Sequence, residues 1–230
     1  MAKSAVAFYQ EKKTLFYSFF VIIFISVCIS NGLYAADNWK LVKNSDGVEV
    51  YTRPHKNSSL EESKGIITID APIDILYTIL LYGPTHKKLM HNCYDSFFVK
   101  PWENGHTIHY WAFKTTWPCW NRDLLLEVRG KVDPKTGNVI TTHMSFKEPL
   151  VPIKENMIRI MNSENTMIYK KITPNRTRVT YINYTDPGGI VPKFIINILC
   201  IDLPYYSLKN LRELAKDPIY KDLAAKYRLE

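Results

Sequence analysis

Apolar and polar positions change period several times along the chain, and each change marks an element. "VEVYTR" at 48–53 alternates as a half-buried strand does, and "LEESKGIITID" at 60–70 repeats the pattern. Ahead of them, residues 39–43 predict a short helical entry and "NSDG" a turn. The period then shifts in "APIDILYTILLYG", where Ile75, Leu76, Ile79 and Leu80 fall on one helical face, Pro72 suits the first turn and Gly83 ends it. A second, shorter helix is predicted over "THKKLMHNC". From Ser96 onward, strands alternate with the turn signals "PWENGH", "WPCWN", "VDPKTGN", "SFKEPLVP", "TPNRT" and "DPGG", which predicts an antiparallel meander. Helical spacing returns in "VPKFIINILCIDLPYYSLKNLRELAK". There Phe194, Ile195, Ile198, Leu199 and Leu203 form an apolar face, and Pro204 predicts a kink. The last residues, 215–230, read as a short polar helix or a loose tail. The expected class is α+β: a curved antiparallel sheet closed by a long C-terminal helix.

The first 35 residues differ from the rest. Lys3, Lys12 and Lys13 lead into an uncharged run at 14–29, and Ala35 supplies the small residue that a signal peptidase prefers. Residues 1–35 therefore read as a secretory signal peptide, which implies a secreted or periplasmic protein. The alternative is an uncleaved membrane anchor, since the run approaches the roughly 17 residues a spanning helix needs. One domain fits the remainder of the 230 residues.

The formal charge is +8, and loss of the leader lowers it by two. That mild excess suits an anionic membrane surface, while no nucleic-acid-binding motif accompanies it. Cys93, Cys119 and Cys200 follow the leader without any CxxC or metal spacing. Their odd count forbids a complete disulfide set, though one pair could bridge in an oxidising compartment. No metal or cofactor is expected.

Four segments in order, "DGVEVYTR" (46–53), "YWAFKTTWPCWNRD" (110–123), "IRI" (158–160) and "YTDPGGIVPKFIIN" (184–197), resemble the START (StAR-related lipid transfer) domain family. The likeness extends over most of residues 39–214 and is nearest to phosphatidylcholine-transfer-like members. It delimits a lipid-binding domain at 36–214. It implies a helix-grip fold, in which the sheet wraps the C-terminal helix around a hydrophobic tunnel holding one lipid, a phospholipid or sterol, in a monomer that contacts membranes transiently. Trp117 and Pro118 then stiffen a corner between two long strands, where Arg122 and Asp123 can pair or bond to backbone. Strand alternation places Leu124, Leu126 and Val128 on one face, opposite Glu127 and Arg129. Similarity to the family turns His109, Trp111 and Phe113 to the same interior. Ile195, Ile198 and Leu199 on the helix complete the expected wall.

Headgroup residues depart from the better-known members. Trp111 matches one aromatic of a choline cage, but Leu124 and Ser163 stand at the others. Lys88 stands where a basic residue meets the lipid phosphate, with Asn92 in place of its acidic partner, and Arg159 is a second candidate for that role. At the positions of a sterol-binding acid and arginine stand His109 and Val128. Gly188 and Gly189 would hinge a gate, Ile190 and Val191 would touch lipid, and Pro204 would let the roof bend. A carrier without catalysis is the leading reading. The alternatives are a helix-grip enzyme of the aromatase/cyclase type, with His109 as the one internal acid/base candidate, and a lipid-sensing interaction module. No nucleophile-elbow, zincin or P-loop motif is present.

Overall fold

The computed structural model describes residues 38–56, 58–103 and 105–226. The leader predicted over residues 1–35, with its apolar run at 14–29, lies outside the described residues. No helix among the described residues is long and apolar enough to cross a membrane.

Ten strands form one curved sheet: β1 (Lys40–Ser45), β2 (Val48–Pro54), β3 (Glu61–Ile69), β4 (Cys93–Glu103), β5 (His106–Phe113), β6 (Asn121–Val132), β7 (Val139–Ser145), β8 (Met157–Arg159), β9 (Asn162–Thr173) and β10 (Arg176–Asp186). Their spatial order is β1-β2-β3-β10-β9-β7-β6-β5-β4. All pairings on that path are antiparallel, and each of the six turn signals joins two elements as expected. The exception to the meander is β8, which runs parallel to β6 beyond β7.

β1 corrects the helical entry predicted at 39–43. Asp46 and Gly47 both adopt positive φ (53° and 73°), the backbone a two-residue hairpin turn requires, and this folds residues 40–45 back beside β2. Cross-strand pairing overrides the weak local helical signal.

Helix α1 (Ile73–Leu81) buries Leu76, Ile79 and Leu80, as its periodicity demands. A 3-10 turn at Gly83–Thr85 leads into the single-turn α2 (His86–Leu89), shorter than the helix predicted over 85–93. Helix α3 (Lys193–Leu214) is 22 residues long and carries Pro204 in its interior. It lies across β2, β3 and β10, completing the helix-grip arrangement.

The two halves of α3 differ. Beyond Pro204, Leu208 and Leu211 are fully buried, and the helix comes so close to β3 that a Cβ on Gly65 would stand 2.7 Å from Leu208 Cδ1 and 3.0 Å from Pro204 Cβ. Polar contacts fasten this half to the β1–β2 turn: Tyr205 Oη and Lys209 Nζ each donate to Asp46 at 2.6 Å, and Lys43 Nζ sits 3.6 Å from the Tyr205 ring centroid. Before Pro204, Phe194 and Ile198 are exposed, contrary to the apolar face expected of them. Of the two readings of the last segment, a short polar helix or a loose tail, the structure has the helix: α4 (Pro218–Lys226), whose Tyr220 is buried against α1 and hydrogen-bonded to Thr85 at 3.2 Å.

Candidate functional site

Beneath the first half of α3 the sheet and helix separate. Between them lies a cavity of about 120 Å³. Its apolar walls are Trp111 and Phe113 on β5, Leu124 on β6, Tyr181 on β10, and Leu199 and Leu203 on α3. These strand residues meet because the pairings Trp111↔Leu124 and Phe113↔Arg122 set inward positions side by side.

Trp111 is held in place from behind. Its Nε1 donates to His86 Nδ1 at 3.0 Å, so His86 is the neutral tautomer whose Nε2–H donates to the Leu80 carbonyl at 2.6 Å. Burial keeps His86 neutral, lowering its pKa to about 4.

A polar seam crosses the floor on β9 and β10. Ser163 Oγ and Thr185 Oγ1 share a hydrogen bond of 2.9 Å, Asn165 Nδ2 donates to Ser163 Oγ at 3.0 Å, and Thr185 Oγ1 donates to Asn183 Oδ1 at 3.1 Å. All four residues line the cavity. Asn165 Oδ1 is buried there with no partner among the described residues, so it can accept a hydrogen bond from a ligand.

Two loops meet at the cavity wall. Arg122 donates to the carbonyls of Trp120, Pro187 and Gly188, tying the β5–β6 corner to the segment before α3. In that segment Gly188 and Gly189 both have φ of 64°, the left-handed backbone that glycine adopts readily. Around it the chain exposes Trp117 (87 %), Ile190 (97 %) and Phe194 (66 %), while Val191 turns into the cavity wall.

Of the site residues expected from sequence, the structure brings Asn92, Trp111, Phe113, Leu124, Val191 and Leu199 to this cavity. It places the others elsewhere. His109, Leu126 and Val128 do share the inward face, but they are buried in solid core instead of lining the space. Lys88 is exposed on α2 and does not reach the wall. Arg159 is held in a bidentate pair with Asp123 at 2.8 and 2.9 Å, on the face of β6 opposite Leu124. The pairing considered for Arg122 and Asp123 is thereby corrected: the two point to opposite faces, and Asp123 is fully buried against Arg159. Ile195 is buried without lining the cavity, Ile198 faces solvent, and Pro204 lies packed on Gly65. Trp117, expected to stiffen the corner, projects into solvent beside Pro118, with which it forms a cis peptide bond. Cys93, Cys119 and Cys200 form no disulfide among the described residues.

Sequence reasoning missed Arg122 as a cavity residue, along with Asn165, Asn183 and Thr185. Alternation carried the signal for each: Arg122 has the parity of Leu124, and Asn165 has that of Met167 and Tyr169, which are buried on the same face.

No protein-family model matches the chain. An uncharacterized protein of Pseudomonas aeruginosa is 25% identical over 181 residues, covering 79% of this chain and 88% of that one. Human phosphatidylcholine transfer protein is 24% identical over 170 residues, covering 71% and 77%. Among solved structures, a STAR-related lipid transfer protein from Xanthomonas axonopodis superposes with a TM-score of 0.72 at 23% identity, covering 79% of this chain and all of that fragment. The chain is similar to START-domain proteins in sequence, and its helix-grip fold is theirs.

Proposed function

We propose that this protein takes one lipid into the cavity beneath α3 and carries it between membranes, without chemistry on the cargo. The observation that carries the reading is the cavity itself. It is apolar on both walls and roofed by the half of α3 that packs least, and the neighbouring loops and helix leave Trp117, Ile190 and Phe194 exposed. Phosphatidylcholine transfer protein and the STAR-related lipid transfer protein of Xanthomonas axonopodis, to which this chain is similar, carry lipid transfer in their names, which supports the same reading.

The need for a carrier follows from magnitude. Burial of each CH₂ is worth about 0.8 kcal/mol, so a two-chain lipid resists leaving a bilayer by something on the order of 20 kcal/mol. An apolar channel pressed against the surface lowers that barrier. Entry asks the first half of α3 to move while the second half, fastened to Asp46, stays; Pro204 marks the boundary. A phospholipid is the favoured cargo, because the cavity wall carries Lys114 and Arg122 beside an apolar interior. With its leader removed, the protein would work as a monomer outside the cytoplasm, touching membranes only in passing. His109, the acid/base candidate of the enzyme alternative, does not line the cavity, whereas His91 does.

The test is transfer of fluorescent phospholipids and sterols from donor to acceptor vesicles. A rate well above buffer is expected, and a rate equal to buffer for every lipid class overturns the proposal.

A further inference from the structure

Arg122 is a buried cation without a counter-charge. Its residue is 3 % exposed, and among the described residues no carboxylate lies within ion-pair distance of it. The neighbouring Asp123, which could have served, points to the other face and is taken by Arg159. Three backbone carbonyls accept from the guanidinium, and these dipoles offset only part of the loss of hydration. An arginine carries five N–H groups. One on each of Nη1 and Nη2 has no protein acceptor among the described residues, and such a pair can engage a carboxylate or phosphate bidentately.

The surroundings suit an anion and not a free cation. Lys114 adds positive charge to the same wall, and the sole carboxylate-bearing residue of the lining among the described residues is Glu61, on β3 beside Cys200. Behind the guanidinium the strand continues inward to Leu124, paired with Trp111. The arrangement is a charged head position followed by an apolar one.

We infer that Arg122 is the anion receptor of the cavity: it binds the phosphate or carboxylate head of an amphiphile whose alkyl chain runs inward along Leu124, Trp111 and Leu199. This rests on the carrier reading and specifies its cargo. Because Pro187 and Gly188 are bonded to the same guanidinium, the head is held at the door, where a lipid would be taken up and given back.

Calorimetric titration of the purified protein with dodecyl phosphate, dodecanol and inorganic phosphate tests this. Dodecyl phosphate is expected to bind at least about tenfold more tightly than dodecanol, with inorganic phosphate far weaker than either. In Arg122→Gln the preference for dodecyl phosphate over dodecanol should vanish. If that variant does not fold, the three wild-type titrations decide alone. Equal binding of dodecyl phosphate and dodecanol overturns the inference and leaves the carrier reading standing. Inorganic phosphate binding as tightly as dodecyl phosphate makes the site one for a free anion and overturns the amphiphile. No binding of either amphiphile overturns both.

Discussion

Three histidines buried in one core make the fold sensitive to mild acid. His86, His109 and His143 are each at most 2 % exposed and surround Trp111, with ring centroids 4.7 Å apart for His86–His109 and 6.0 Å for Trp111–His143. Burial, followed by mutual repulsion for His109 and His143, lowers their pKa values to about 4, 2 and 3 respectively. In the unfolded chain each titrates near 6.5. A folded pKa below the unfolded one means that the unfolded state binds the extra protons, so the stabilisation is complete above 6.5 and is lost as pH falls toward the folded values. At pH 5 the three together cost about 6 kcal/mol, with uptake of about three protons on unfolding. That is comparable with the whole stability of an ordinary domain. The carboxylates lowered by surface partners, such as Asp46 and Glu127, change stability in the same direction but chiefly below this window. Urea unfolding between pH 7.5 and 5 measures the effect as a falling midpoint with constant slope. His109 supplies the decisive variant, because neither of its ring nitrogens has a partner among the described residues. His109→Phe should gain about 1 kcal/mol at pH 7.5, where the orphaned N–H is removed, and should reduce proton uptake at pH 5 from about three to about two. A midpoint that stays flat from pH 6.5 to 5, or a His109→Phe variant with the wild-type pH slope, would refute the reasoning.

Two further predictions concern how the walls are held. Asp123→Asn leaves the Arg159 guanidinium buried without its counter-charge and should cost about 3–5 kcal/mol, whereas Asp123→Asn combined with Arg159→Met should recover most of it; urea midpoints of the double-mutant cycle check this. Gly65→Ala drives a Cβ into Leu208 and Pro204 and should destabilise by about 1–3 kcal/mol, read as a fall in melting temperature; an unchanged value would mean that α3 is not clamped on β3.

What the sequence made legible was parity, and what it withheld was depth. Alternation along β6 correctly turned Leu124, Leu126 and Val128 inward, and the same rule, followed one step back, turns Arg122 inward and Asp123 outward. A pair between those two was therefore excluded by geometry. The true partner, Arg159, arrives on β8, whose parallel pairing with β6 is announced by no local turn signal. Parity, however, says only which way a side chain points. Whether space remains in front of it depends on what the opposing helix presents. Leu126 and Val128 are fully buried without lining the cavity, and Leu208 and Leu211 pack down where Gly65 lets α3 descend onto the sheet. Leu124 and Trp111 stand opposite Leu199 and Leu203 across the cavity, on the other side of Pro204. The same inward face is thus solid core at one end and binding site at the other. What separates them is the approach of a helix that lies far along the chain from β6, a distance that strand periodicity does not record.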